Sequence, residues 1–212
     1  DELLTSLMHE DGSDLHLGGG RKPAMRINGQ LVFLANQPES TAEDMMGLLT
    51  TLLGAEKTAL FIQKKEADFS YTFRDLARLR GNAFFQRGNL CIVLRLIPKA
   101  KSFEELNLPP IIQSFTQKKQ GFFLVVGPVG QGKSTTLASM IEIINTDRLE
   151  HIITIEDPIE YQYIQKKSII NQREIRIDTK DFHSALISMF REDINVVLIG
   201  EMRGLETIST AV

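Results

Sequence analysis

From Gly127 to Ser134 the chain reads GPVGQGKS, and those residue types at that spacing suit the gripping of a phosphate chain. Gly127, Gly130 and Gly132 let the backbone curl until successive N–H groups point inward, with Val129 and Gln131 carried on the same curl. Lys133 brings an ammonium able to bridge β- and γ-phosphates, and the Ser134 hydroxyl is a ligand for Mg²⁺. Thr135 lies in the first turn of a helix whose positive end faces the same anion. Any glycine turn before a helix gives part of this pattern. Here the context adds weight: the apolar run Phe122–Val126 reads as a strand buried on both faces, and a good helix runs from Lys133 to about Asn145. The loop is therefore read as nucleotide-binding, with ATP and Mg²⁺ as the implied ligands.

A phosphate loop works with acids at the ends of neighbouring strands. Ile152–Ile155 runs into Glu156-Asp157-Pro158, and Val196–Ile199 runs through Gly200 into Glu201. Both runs read as buried strands, and in a parallel sheet their C-terminal ends share the edge that carries the loop. Either acid can hold Mg²⁺ through water or polarise an attacking water. Each alone is also what an ordinary solvated strand end looks like.

Arginine is the next anomaly. Arg74, Arg78, Arg80, Arg87 and Arg95 face only Asp75 among the acids of that stretch. Solvated strand faces explain Arg74 and Arg78. For the others the sharper reading is a set of permanently charged, bidentate donors aimed at phosphates. The four histidines, His9, His16, His151 and His183, have no metal-ligand spacing. The single Cys91 lies in an apolar strand run, where it reads as buried and inert.

The elements that must position these residues fall into two sets. Leu3, Leu4, Leu7 and Met8 have helical spacing, Asp14–Leu17 alternates like a strand, and Asn28-Gly29 joins two short strands, Ala24–Ile27 and Gln30–Leu34, as a hairpin. Ser40-Thr41-Ala42-Glu43 reads as a capping box opening an apolar helix, and a second helix follows Gly54. Strands Ala67–Phe73, Leu79–Phe85 and Leu90–Ile97 follow, the last two turning at Arg87-Gly88-Asn89. This half is α+β with an antiparallel sheet. Prolines and lysines between Pro98 and Pro110 read as a linker. Beyond it come strand, loop and helix in repetition, with a further strand at Ile169–Asn171 and a helix over Thr179–Arg191, the pattern of a mostly parallel α/β sheet. The boundaries are 1–98, 99–112 and 113–212.

Composition excludes several classes. The net charge of the 212 residues is −3, with 24 basic against 27 acidic side chains, so the basic excess of a dedicated nucleic-acid binder is missing. No apolar run approaches a membrane span, and one cysteine makes no internal disulfide, which suits a cytoplasmic setting.

Taken together, GPVGQGKSTT (Gly127–Thr136), TIEDPIEY (Thr154–Tyr161) and LIGEMRGLET (Leu198–Thr207) resemble the Walker A, aspartate-box and Walker B motifs of the type II/type IV secretion ATPases. Ser13–Leu17, the Arg26/Gly29 hairpin, RGNAFFQRG (Arg80–Gly88) and Arg95–Pro98 narrow the likeness to the pilus retraction, or twitching motility, branch. The resemblance covers essentially the whole chain. It implies a PAS-like N-terminal domain followed by a RecA-like P-loop core that is incomplete at its C-terminus. It implies a homo-hexameric cytoplasmic ATPase, peripheral to the inner face of the membrane and partnered by an inner-membrane pilus platform protein. Glu156 then becomes the general base, Glu201 joins Ser134 in positioning Mg²⁺, and Arg80, Arg87 and Arg95 become arginines that reach nucleotide phosphates.

Some positions depart from that pattern. Gln131 stands where a small residue is usual, Arg191-Glu192-Asp193-Ile194-Asn195 replaces Arg-Gln-Asp-Pro-Asp, and Gly204 replaces the aspartate after Met202-Arg203. Because the chain starts at Asp1 and stops within a helical stretch, it reads as a fragment; since it stops before the family's histidine box and C-terminal helices, the resemblance implies nucleotide binding with slow turnover or none. The competing readings are an extension or type II secretion ATPase, a phosphotransferase on the same loop, and a non-hydrolysing accessory paralogue.

Overall fold

The structure, a computed structural model, describes residues 1–74 and 76–211. Asp75 and the chain end at Val212, both used in the sequence reading, lie outside the described residues. The chain divides into two compact units, Asp1–Ile97 and Pro98–Val212.

The first unit is built on a six-stranded antiparallel sheet ordered β3-β2-β1-β6-β5-β4. The strands are β1 (Gly12–Gly18), β2 (Ala24–Ile27), β3 (Gln30–Phe33), β4 (Glu66–Phe73), β5 (Ala77–Gln86) and β6 (Asn89–Ile97). Two of its turns are two-residue connections with positive φ at both positions, Asn28-Gly29 and Arg87-Gly88. That backbone twist matches the twist of the paired strands, and glycine takes the second position without steric cost. One sheet face carries Leu15, Leu17, Met25, Phe69, Leu79, Ile92 and Leu94. Helices α1 (Glu2–His9), α2 (Ala42–Leu53) and α3 (Ala55–Lys64) cover it with Leu4, Leu7, Met45, Leu49 and Phe61. The ring of Phe69 occupies the space that a side chain at its cross-strand partner Gly81 would fill.

The cap of α2 differs from the expectation by one residue. Thr41, not Ser40, is the N-cap, and Asp44, not Glu43, closes the box: Asp44 N–H donates to Thr41 Oγ1 at 3.1 Å, and Thr41 N–H to Asp44 Oδ2 at 2.9 Å. Aspartate serves as well as glutamate because the reach is short.

The second unit has a three-stranded parallel sheet, β8-β7-β9, made of β7 (His151–Glu156), β8 (Ile169–Glu174) and β9 (Val196–Ile199). Its helices are α4 (Pro110–Phe115), α5 (Lys133–Asp147), α6 (Phe182–Met189) and α7 (Leu205–Ala211). Ile152 packs with Ala138, Ile141 and Ile144 of α5, while Ile153 and Ile155 pack with Ala185, Leu186 and Met189 of α6. A strand covered on both faces has no polar face to show, hence the isoleucines at 152, 153 and 155 of β7, interrupted only by the buried Thr154. Within this unit Gln162 N–H donates to Pro98 O at 3.0 Å, and Phe103 is buried.

Two expectations are corrected here. Phe122–Val126 is not a strand: it joins no ladder, and Phe122, Leu124 and Val126 are exposed. An apolar run becomes a buried strand only beside a pairing edge and beneath covering layers, and among the described residues this segment has neither. For the same reason β9 is only partly buried. It is one of the two edge strands of its sheet, and of its four residues Leu198 alone is buried.

Candidate active site

In the loop before α5, Gly127, Gly130 and Gly132 all take positive φ, a conformation costing a side-chain-bearing residue about 1 kcal/mol or more. Gly132 is the N-cap of α5 and supplies no side-chain acceptor, which leaves the first-turn N–H groups of the helix open to an anion. Lys133 lies at the loop and donates from Nζ to Pro128 O at 2.8 Å. Val129, Gln131 and Ser134 are exposed. Thr135 is half-buried, its hydroxyl 2.7 Å from that of Tyr161.

Ser134 borders a cleft whose walls also carry Glu156, Asp157, Glu160, Tyr161 and Glu201. The parallel sheet explains the meeting of the acids, since Glu156 ends β7 and Glu201 follows β9, the adjacent strand. Gly200 allows the close approach: its N–H donates to Ile155 O at 2.8 Å, and a Cβ there would stand 3.3 Å from Glu156 Cα.

Glu156 is 8% exposed. Its Oε1 accepts from Thr154 Oγ1 at 2.6 Å and Gln172 Nε2 at 3.4 Å, and its Oε2 from Glu160 N–H at 3.3 Å. Burial pushes the carboxyl pKa up, these hydrogen bonds pull it back in part, and the outcome is a raised value. Glu201 is paired with Arg203 at 2.8 Å. Asp157, joined to Pro158 by a cis bond, pairs with Arg176 at 3.0 Å. Among the described residues no three His, Cys, Asp or Glu side chains gather in a metal-binding group. A cation at Ser134 and Glu201 would thus need phosphate and water oxygens to complete its shell, which is how Mg²⁺ is commonly held.

The arginines of the first unit are not one cluster. Arg80 and Arg95 are direct cross-strand partners on β5 and β6, whereas Arg87 sits in the turn, about 20 Å of strand away. Arg95 is anchored to Asp14, Nε to Oδ1 2.8 Å, and Arg26 approaches the same carboxylate at 3.9 Å. Asp14 is buried; burial works to raise its pKa, but hydrogen bonds from Arg95 and Ser13 and the nearby positive charge prevail and lower it. Arg87 borders a separate hollow with Gly19, Gly20, Arg21, Gln86, Asn89 and Cys91. Arg74 is exposed and pairs with Asp1. Cys91 is buried.

The sequence reading missed several members of these constellations. Tyr161 and Thr154 lay inside the quoted TIEDPIEY stretch and Arg203 just after Glu201, so proximity was a usable signal. Gln172 and Asp14 act through strand pairing, which their own sequence neighbourhood does not reveal.

Residues 3–212 match the family described as type II/IV secretion system protein. The chain belongs to that family. It is 40% identical over 211 residues to the type IV pilus retractation ATPase PilT of Pseudomonas aeruginosa, covering 99% of this chain and 61% of that protein. It is 44% identical over 190 residues to a twitching motility protein of Neisseria gonorrhoeae, covering 89% of this chain and 50% of that one. Among solved structures, the pilus retraction motor PilT with bound ADP superposes with a TM-score of 0.90 at 44% identity, covering 99% of this chain and 62% of that one. The α/β fold of this family member is accordingly that of the retraction motor, and the chain spans about half to three fifths of the length of these relatives.

Proposed function

We propose that the protein carrying this chain is an ATP-hydrolysing motor subunit that powers type IV pilus retraction, and with it twitching motility. The observation that carries the reading is the convergence of Ser134, Glu156 and Glu201 on one cleft beside an uncapped helix N-terminus. The chain-long likeness to a pilus retraction ATPase selects the task that the hydrolysis serves.

On this reading residues 1–98 form a PAS-like domain, 99–112 a linker and 113–212 a RecA-like core. Gly127, Val129, Gly130, Gln131, Gly132, Lys133, Ser134 and Thr135 hold ATP, Lys133 by exchanging the Pro128 carbonyl for phosphate oxygens. Ser134 and Glu201 would hold Mg²⁺, whose charge neutralises the phosphates. Glu156 takes a proton from water as the water oxygen bonds to the γ-phosphorus and ADP leaves. A carboxylate whose proton affinity is raised by burial suits that task better than an exposed one. Arg80, Arg87 and Arg95 stabilise charge on the transferred phosphoryl group, some across a subunit boundary of a homo-hexamer. Domain rotation in that ring would act on an inner-membrane pilus platform protein from the cytoplasmic side. Among the described residues no helix is long and apolar enough to cross a membrane.

The test is the ATPase rate of the complete protein against its concentration, with Lys133→Ala and Glu156→Gln beside it. Specific activity that climbs with concentration and is lost in both variants is the expected result. An assembled protein that binds ATP without turnover would overturn the motor reading in favour of an accessory nucleotide-binding subunit.

A further inference from the structure

The buried carboxylate of Glu156 is held unevenly. Among the described residues the side-chain donors that reach it, Thr154 and Gln172, converge on Oε1, while Oε2 receives a backbone N–H at 3.3 Å. The two donors are direct partners in the parallel ladder between β7 and β8. They approach from the sheet side, Thr154 being wholly buried. Gln172 is itself fixed. Its Nε2 donates to Tyr161 O at 2.7 Å, and its Oε1 accepts from Tyr163 N–H at 3.1 Å. One amide thus ties the segment after Glu156 to β8 and reaches the carboxylate as well.

A buried threonine hydroxyl is satisfied most cheaply by a backbone carbonyl nearby. Here it meets the carboxylate two residues along its own strand, at 2.6 Å, the short distance of a charge-assisted bond. A carboxylate free to rotate presents either oxygen; one pinned through Oε1 presents Oε2.

We infer that Thr154 and Gln172 are positioning residues for hydrolysis, locking Oε1 of Glu156 so that Oε2 faces the attacking water. The inference rests on the reading of Glu156 as the general base. It separates Thr154 from its apolar neighbours in β7, whose work is packing.

The experiment is steady-state ATP hydrolysis by the complete protein, with Thr154→Val, Thr154→Ser, Gln172→Leu and Glu156→Gln compared with the parent. Valine keeps the shape of threonine and removes the donor. Thr154→Val is expected to lower kcat about tenfold with KM for ATP and affinity for ADP within about twofold, and Thr154→Ser to restore most of the loss. Gln172→Leu is expected to lower kcat in the same sense, which gives a second route should the valine variant fold poorly. Parental kcat in Thr154→Val beside an inactive Glu156→Gln would overturn this inference and leave the base assignment standing. A fall in kcat that serine does not rescue would also overturn it, since a hydroxyl restored at that position would then not restore turnover. An active Glu156→Gln would remove the base assignment itself, and the inference with it.

Discussion

Arg95 lies directly across from Asp14 in the antiparallel pairing of β6 with β1, and its Nε stands 2.8 Å from a carboxylate that is almost wholly buried. The contact uses Nε, so the guanidinium retains donors to offer elsewhere while its direction is fixed. Arg80 stands on the other side of Arg95 in the same cross-strand row, so Arg95 sits between a like charge and the carboxylate that holds it.

The stability of the first unit should therefore depend on pH through Asp14. Its folded pKa is lowered, so the contribution is fully present above the unfolded value near 4 and is lost as pH falls through the folded value. Urea unfolding followed by far-UV circular dichroism should show Asp14→Asn less stable than the parent at pH 7 by about 1–3 kcal/mol. The gap should narrow below about pH 4. A constant gap from pH 7 to pH 3 would show that the charge is not what matters.

Thr41→Ala should cost about 1 kcal/mol, because it removes the acceptor for Asp44 N–H, whereas Ser40→Ala should be close to neutral. Thermal melts of the two variants separate these positions, and equal losses would contradict the cap as described.

Gly200→Ala should harm turnover more than stability. The added methyl would press on the Cα of Glu156 and on Ile155 O, each 3.3 Å away. The expected outcome is a loss of about 1 kcal/mol in unfolding with a fall of about tenfold or more in ATP hydrolysis by the complete protein. Parental activity would mean that the end of β7 gives way without moving the carboxylate.

Gly130→Ala meets no neighbouring atom within 4 Å, yet its φ of +81° is the wrong one for alanine. Nucleotide titration should show affinity weakened about tenfold from backbone strain alone. Unchanged affinity would show that the loop adopts another conformation when it binds.

What could be read from the chain in advance followed from local chemistry. Asn28-Gly29 specified its hairpin because few residue pairs accept two positive φ values. The Arg87-Gly88 turn also fixes register, since a two-residue connection pairs Gln86 with Asn89 and so brings Arg80 opposite Arg95. Asp14 and Arg95 are far apart in the chain, and only the placing of β1 beside β6 joins them. The glycine-rich turn before α5 and the acids at the ends of β7 and β9 were legible because each is a short local pattern. Phe122–Val126 was misread because hydrophobicity records what a segment prefers to touch and is silent about what is there to be touched. Glu156 could be named from the sequence, but the hold on it by Gln172 depends on the register of β8 against β7.

The bond from Lys133 to Pro128 O gives the phosphate loop an internal substitute for its ligand. On the proposed function, an arriving nucleotide would gain the ammonium only by trading against that carbonyl, so part of the attraction would be cancelled at entry. At exit the trade runs in reverse. On the proposed function, a departing product would return the ammonium to that carbonyl. If the proposed motor function holds, such a loop would trade some grip for faster renewal.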